Sequence, residues 1–397
     1  MKWLHRLKSS WLNSDPNYRA FLLGILFLGI NQGILNSTFN NFMHDIYKIS
    51  STERGFLEFP REFPGFILIF VTALLSTLSI RYWAMLVCLL SFVGVTGLGF
   101  LSPTFYIAIS WMLFWSMADH LFMPVESTMG LQLAKENQEG RRLGQISGAR
   151  NLSMIIGTLA VWWGMSFFSF SYKILYFIAG LSALIGVWLF SRIKIAKEKE
   201  IVSKRFVYRK EYHLFYILNI LFGARKQLFL TFSPWVLVSV FNVKVETMAI
   251  LLLIASFLGF FFRQYFGVWV DKIGERSVLV WDAFILLVIC LGFAFSKNVY
   301  VLYGLLIVDN LMFATRIART TYMKKIALDK SDIPTSISFG VTLDHLISMS
   351  IPFFGGLLWT AFGYPAVFIA ASFIALLNFW AAMKIPDFNE QRKSSLA

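Results

Sequence analysis

Apolar stretches of roughly 20 residues, the length a helix needs to cross the hydrocarbon core of a bilayer, recur along the whole of this chain. Few folds are compatible with that pattern. In lipid every backbone N–H and C=O must be satisfied within the segment or in a closed barrel, and stretches this long predict helices. Twelve are expected, at roughly 19–42, 55–79, 82–101, 104–134, 143–166, 172–191, 211–240, 246–270, 277–296, 299–323, 333–361 and 364–385. Composition agrees, with 57% of the 397 residues apolar, 15% charged and a mean hydropathy of +0.65. So little lies outside these stretches that no separate soluble domain is expected. The sequence contains no GxxxxGK[ST] phosphate loop, which excludes ATP hydrolysis by that route.

The basic residues set the expected orientation. Most of the 36 Lys and Arg fall in the segments that lie on one side of the membrane if the N-terminus is cytoplasmic. The opposite loops hold only Lys48, Arg54, Lys173, Lys244 and Lys297. By the positive-inside rule both termini are cytoplasmic, and the chain is a multi-pass protein of the cytoplasmic membrane. The net charge of +14 is then an orientation signal and a contact for anionic lipid, not a nucleic-acid patch. The basic N-terminus lacks the short apolar region and cleavage site of a signal peptide, so the first span is expected to be retained. Cys88 and Cys290 each fall inside an apolar span and read as small buried residues, with neither a disulfide nor a metal site expected. Asn36 and Asn151 begin glycosylation-type triplets, but both lie at membrane depth and are dismissed.

The two halves repeat weakly at a nearly constant offset. Tyr18, Gly29 and Gly65 recur as Tyr212, Gly223 and Gly259, and Asp119-His120-Leu121 recurs as Asp309-Asn310-Leu311. Gly148, Gly164 and Tyr172 recur as Gly340, Gly356 and Tyr364. Matches in this order point to a duplicated six-helix unit in parallel orientation. The expected fold is therefore an all-α membrane protein of twelve transmembrane helices in two parallel six-helix repeats. Residues 1–191 form the first bundle, 192–210 a basic cytoplasmic linker, and 211–397 the second bundle.

On these features the chain resembles the major facilitator superfamily. The most specific local match is Gly267-Val268-Trp269-Val270-Asp271-Lys272-Ile273-Gly274-Glu275-Arg276, which is similar to that family's Gly-xxx-Asp-(Arg/Lys)-x-Gly-x-(Arg/Lys) loop. Its glycines would allow a tight turn, and Asp271 could cap a helix N-terminus. The resemblance implies a cytoplasmic latch built on Gly267, Asp271, Lys272, Gly274 and Arg276. The equivalent stretch between spans two and three, Ala73 to Arg81, lacks the glycine and aspartate, and the fifth span lacks the Gly-Pro pair of drug–proton antiporters. The resemblance covers the architecture of the whole chain and reaches no named subfamily.

Ionisable groups at membrane depth cost roughly 2.5–3.5 kcal/mol each, so they need a partner, water or a function. The spans carry Arg61, Arg150, Arg225, Lys226, Arg263, Arg316 and Arg319 against Glu58, Glu62, Asp119, Glu126, Asp282, Asp309 and Asp344. Spans three, six and twelve have none, and in the resembled family those helices, with the ninth, form the outer scaffold. At about 1.5 Å per residue, Asn31, Gln32, Asp119, His120, Arg225, Lys226, Gln227, Asp309 and Asp344 share the midplane. Asn31, Gln32, Arg225, Lys226 and Gln227 are the candidate substrate groups, one of Arg225 and Lys226 facing the cavity because they point about 100° apart. Asp119, Asp309, Asp344 and His120 are the candidate proton carriers. Glu58, Arg61 and Glu62 share one side of span two and read equally as an outer gate or as structural pairs. Glu126, Arg150, Arg263 and Arg316 complete the cavity charge, Arg316 and Arg319 also being placed to pair with Glu126 or lipid phosphate.

The expected function is a monomeric secondary transporter that moves a small polar, charged solute by alternating access, coupled to H+ and without a cofactor. A multidrug or lipophile exporter of the same fold is the alternative, and a non-transporting membrane sensor a further one. No nucleophile–base set or metal-ligand cluster at one depth suggests an enzyme.

Overall fold

The computed structural model describes residues 15–387, apart from 76, 135–138, 195–207 and 330–331. The basic linker expected at 192–210 therefore lies largely outside the described residues. Helices account for nearly all of what is described, and no strand occurs among the described residues. Eight of the described helical stretches are long and apolar enough to cross a membrane.

Packing divides the chain into two units, Met1–Phe42 with Ile67–Ile201, and Met43–Phe66 with Val202–Ala397. The first unit is built on α1 (Pro16–Tyr47), α4 (Leu68–Leu75), α5 (Ile80–Phe100), α6 (Phe105–Gln132), α7 (Glu139–Phe168) and α8 (Tyr172–Ser191). α1 starts where its sequence says it should. Asp15 accepts a hydrogen bond from the Asn17 amide at 2.8 Å, and Pro16 takes the first helical position, where an N–H would have no partner. Phe21, Ile25, Cys88, Leu121, Phe122, Val125, Met129 and Phe190 form the buried core of this unit. α1 and α7 touch backbone to backbone, since a Cβ on Gly33 would strike the Met154 carbonyl and one on Gly157 would strike that of Ile30. Gly33→Val is expected to force the two helices apart at a cost of about 1–3 kcal/mol. The check is the thermal midpoint of the detergent-purified protein, and an unchanged midpoint would show that the contact is soft.

The second unit contains α2 (Ser51–Phe56), α3 (Glu58–Phe66), α9 (His213–Ser239), α10 (Val245–Phe295), α11 (Val299–Met312), α12 (Arg316–Ile326), α13 (Asp332–Phe362) and α14 (Tyr364–Met383). Its core joins Phe215, Leu218, Phe266, Val270, Leu279, Ala318, Tyr322 and Ala382. Arg209 and Tyr212 both donate to Asp332 at 2.7 Å, tying the entry of α9 to the acidic first turn of α13. Asp332 pushes the Arg209 guanidinium further above its ordinary value through the hydrogen bond and its charge.

Three departures from the expected spans have local causes. The stretch 55–79 is broken into α2, α3 and α4, because Pro60 and Pro64 remove backbone donors and crowd the preceding turn. α2 has its own capping box, with Ser50 and Glu53 each bonding the other's backbone amide. The loop expected between spans 246–270 and 277–296 shrinks to a break at Gly274, where the two helical segments of α10 meet; its φ of 84° and ψ of 159° are open to glycine and strained for other residues. Span ten is split by a 3-10 turn at Phe313–Thr315, which changes the helix phase before α12 begins. Both cysteines are free and fully buried, Cys88 on α5 and Cys290 on α10. Many phenylalanines point outward, among them Phe70, Phe257, Phe295, Phe362 and Phe373, as a surface solvated by acyl chains would require.

Candidate substrate site

In the first unit a chain of polar contacts links α1, α6 and α7. The Gln32 side-chain amide donates to Asp119 at 2.7 Å, and its carbonyl accepts from Arg150 Nε at 3.3 Å. Arg150 Nη1 donates to Glu126 at 2.8 Å. The glutamine thus holds an acid on one side and an arginine on the other, and a change at either end is felt through it. Expected members Gln32, Asp119, Glu126 and Arg150 come together here. Asn31 does not join them. It is fully buried, donates to the Ala179 carbonyl at 2.9 Å and accepts from Ser91 at 3.0 Å, so it ties α1 to α5 and α8. His120 lies with Nδ1 2.9 Å from the Ser116 carbonyl on its own helix.

In the second unit three consecutive residues of α9 diverge, as successive steps of about 100° dictate. Arg225, 1% exposed, donates through Nη1 to both oxygens of Asp282 at 2.9 and 3.1 Å, and through Nη2 to Asp309 at 3.3 Å. Gln227, fully buried, donates to Glu58 at 2.5 Å. Lys226 alone of the three faces open space. Its Nζ lies 2.7 and 2.8 Å from the two oxygens of Asp344, to which Ser348 also donates at 3.2 Å. Beside this pair is a cavity of about 560 Å³, lined by Phe222, Lys226, Phe313, Arg316, Thr320 and Asp344 among others. Arg225 and Asp309, expected at the substrate and proton sites, are instead locked in a dry triad with Asp282. Desolvated cation and acids are tolerable there because each charge has its opposite in hydrogen-bond contact.

Glu58, Arg61 and Glu62 do cluster, and they do so with Arg54, which the sequence reading left out, and with His345, a mid-span histidine of secondary rank in that reading. Arg54, 1% exposed, pairs with Glu58 at 2.6 Å, and Arg61 reaches the other Glu58 oxygen at 2.6 Å and Glu62 at 3.5 Å. Glu62 meets His345 Nδ1 at 2.9 Å on α13. The i,i+4 spacing of Arg54 and Glu58 was a readable signal for the first contact. Nothing local in the sequence signals the second.

The expected glycine turn is present at Gly274, while the expected cap at Asp271 is not. Helix runs through most of Gly267–Arg276, so Asp271 precedes the break at Gly274 and caps no following helix. Asp271 and Lys272 are exposed, while Arg276 is partly buried. The buried acid of this stretch is Glu275, paired with Lys325 of α12 at 2.8 Å. The side chains of Gly267 and Arg263 lie outside the described residues.

Positions that pair in the expected repeat make comparable contacts. Asn31 binds Ser91 and Arg225 binds Asp282, both contacts going into helix packing. The next residue in each case, Gln32 or Lys226, meets an acid, Asp119 or Asp344.

The sequence profile of the Major Facilitator Superfamily matches residues 21–343. No curated protein sequence matches the chain. Among solved structures, a mutant form of the nucleoside transporter NupG superposes with a TM-score of 0.79 at 15% identity, covering 94% of this chain and 100% of that one. A bacterial homologue of the human lysosomal transporter Spinster, inward-facing and occupied, gives 0.73 at 11% identity, covering 93% and 97%. A D-xylose–proton symporter gives 0.70 at 12% identity, covering 94% and 98%. At these identities the likeness is one of fold.

Proposed function

Because this chain belongs to the Major Facilitator Superfamily, and so is a multi-pass membrane transporter and not an enzyme, we propose that it moves a small polar, charged solute through the Lys226–Asp344 cavity. In this reading the chain crosses the cytoplasmic membrane twelve times as two related six-helix repeats, with both ends in the cytoplasm. The like use of Asn31 and Arg225, and of Gln32 and Lys226, supports the duplication.

The observation that carries the reading is an ion pair left open to a solute-sized space. A pair whose side chains are each 17% exposed is not needed to fill a core, and one partner can be traded for a charged group of the solute. A solute that draws Lys226 away leaves Asp344 without its cation, and a proton restores the balance of charge in a medium of low dielectric. Binding of solute and proton would then favour the same conformation, the requirement for coupled transport. Asp119, held by Gln32, is the acid met in the first unit by the residue that pairs with Lys226 in the repeat.

The test is counterflow and pH-gradient-driven flux in proteoliposomes. Asp344→Asn is expected to keep solute exchange while losing at least about tenfold of the response to a pH gradient, as an acid responsible for coupling should. Asp119→Asn should reduce it less. Coupling that survives both substitutions at full strength would overturn the proton assignment.

A further inference from the structure

Around the cavity, cations outnumber acids. Arg225, Lys226, Arg316 and Arg319 face only Asp282, Asp309 and Asp344. Arg225 is committed to two of those acids and Lys226 to the third. Arg316 lines the cavity and forms no ion pair among the described residues. Arg319, one helical turn further along α12, is 3% exposed, and its Nε and Nη2 have no hydrogen-bond partner. Its guanidinium lies 3.5 Å from the centroid of the Phe222 ring, and that ring is itself a cavity wall. Asp282 and Asp344 act on this guanidinium only through their charge, without hydrogen-bond contact, and proteins seldom keep a buried guanidinium so poorly bonded without a ligand or a mechanism for it.

We infer that the cavity takes an organic oxyanion, a carboxylate or phosphate ester, whose charge is received by Arg316 and Arg319 and whose apolar body lies against Phe222 and Phe313. The inference rests on the cavity being the solute site. Arginine is the side chain suited to a planar or tetrahedral oxyanion, because its donors form a fixed fork. Phe222 and Phe313 meet edge to face, with centroids 6.3 Å apart, and make an apolar corner beside the charge. Thr320 and Thr321 line the same wall, with their hydroxyls donating to the Arg316 and Ala318 carbonyls of their own helix, so the arginines are the donors left for the anion. One negative charge brings the four cations and three acids to balance, while a cationic solute would add to the excess.

The same oxyanion could belong to a free solute or to a lipid headgroup. The experiment uses the full chain purified in phosphate-free maltoside detergent, and follows thermal unfolding with benzoate, phenyl phosphate, benzamide, benzylamine or phosphatidylglycerol added. Ligands of the folded state raise the midpoint in proportion to affinity. Benzoate or phenyl phosphate is expected to raise it, with benzamide and benzylamine at least about tenfold weaker. Arg319→Gln is expected to raise the midpoint without ligand, because it removes an unpaired buried charge, and to weaken the anion response at least about tenfold. A purely structural arginine would give the opposite sign in the first measurement. A response to phosphatidylglycerol alone, lost in Arg319→Gln, assigns the oxyanion to lipid. Equal responses to amide or amine, no response to any anion or lipid, or an Arg319→Gln protein that responds as wild type each overturn the inference. Thr320→Trp, which fills the cavity, separates the two readings. Benzamide or benzylamine binding lost in that variant leaves the cavity as a solute site of another charge. Anion binding that survives it removes the cavity reading as well.

Discussion

Arg225→Ala is expected to yield protein that fails to fold stably, with a loss of about 3–5 kcal/mol. The substitution leaves Asp282 and Asp309, with side chains 0% and 3% exposed, as two acids without a cation in the same dry space. The cost is that of the orphaned charges, not the net contribution of the triad, and replacing all three members makes the difference visible. Arg225→Met combined with Asp282→Leu and Asp309→Asn should recover most of the thermal midpoint, as buried ion clusters exchanged for packed neutral groups often do. Recovery of flux along with stability would mark the triad as scaffold. An Arg225→Ala protein that unfolds at the wild-type temperature but no longer transports would contradict this assignment and return Arg225 to the binding residues.

Lys226→Ala, one residue away, should show the reverse pattern. Its charge faces the cavity, so the fold is expected to tolerate the loss while flux falls at least about 30-fold. Removing one partner of a charge pair at a binding surface costs about 2–5 kcal/mol, and each 1.4 kcal/mol is a factor of ten. The double variant Lys226→Ala with Asp344→Ala should unfold at nearly the wild-type midpoint, because the pair is removed together, yet remain inactive. Proteoliposome uptake and thermal unfolding of the same preparations give both readouts. Flux restored by the double variant would mean that the pair only holds α9 against α13 and takes no part in solute binding.

The contrast between these neighbours shows what was legible in the sequence. Helical periodicity alone says that Arg225 and Lys226 point apart, and that one faces the cavity. Which one depends on where Asp282, Asp309 and Asp344 stand in space, 57 to 118 residues away along the chain. The apolar runs predict helices well because the bilayer permits little else, and the breaks at Pro60 and Pro64 follow from residues visible in the sequence. The continuity of α10 up to Gly274 was less visible, since a glycine in a basic stretch reads as a turn when its neighbours are unknown. Asn31 illustrates the hardest kind. A polar residue at mid-depth has the same sequence signature whether it meets solute or, as here, bonds Ser91 and the Ala179 carbonyl. Arg54 was set aside as a loop cation because it sits near an expected span boundary. The short helix capped by Ser50 and Glu53 carries it inward to Glu58.

The two thiols have a practical use. Cys88 and Cys290 are fully buried in the folded chain, out of reach of an aqueous electrophile. Maleimide should therefore leave the native protein unmodified, and a single cysteine installed at Thr320 or Thr321 would report by itself on when the cavity opens to the aqueous phase, and from which side, with no need for a cysteine-free background.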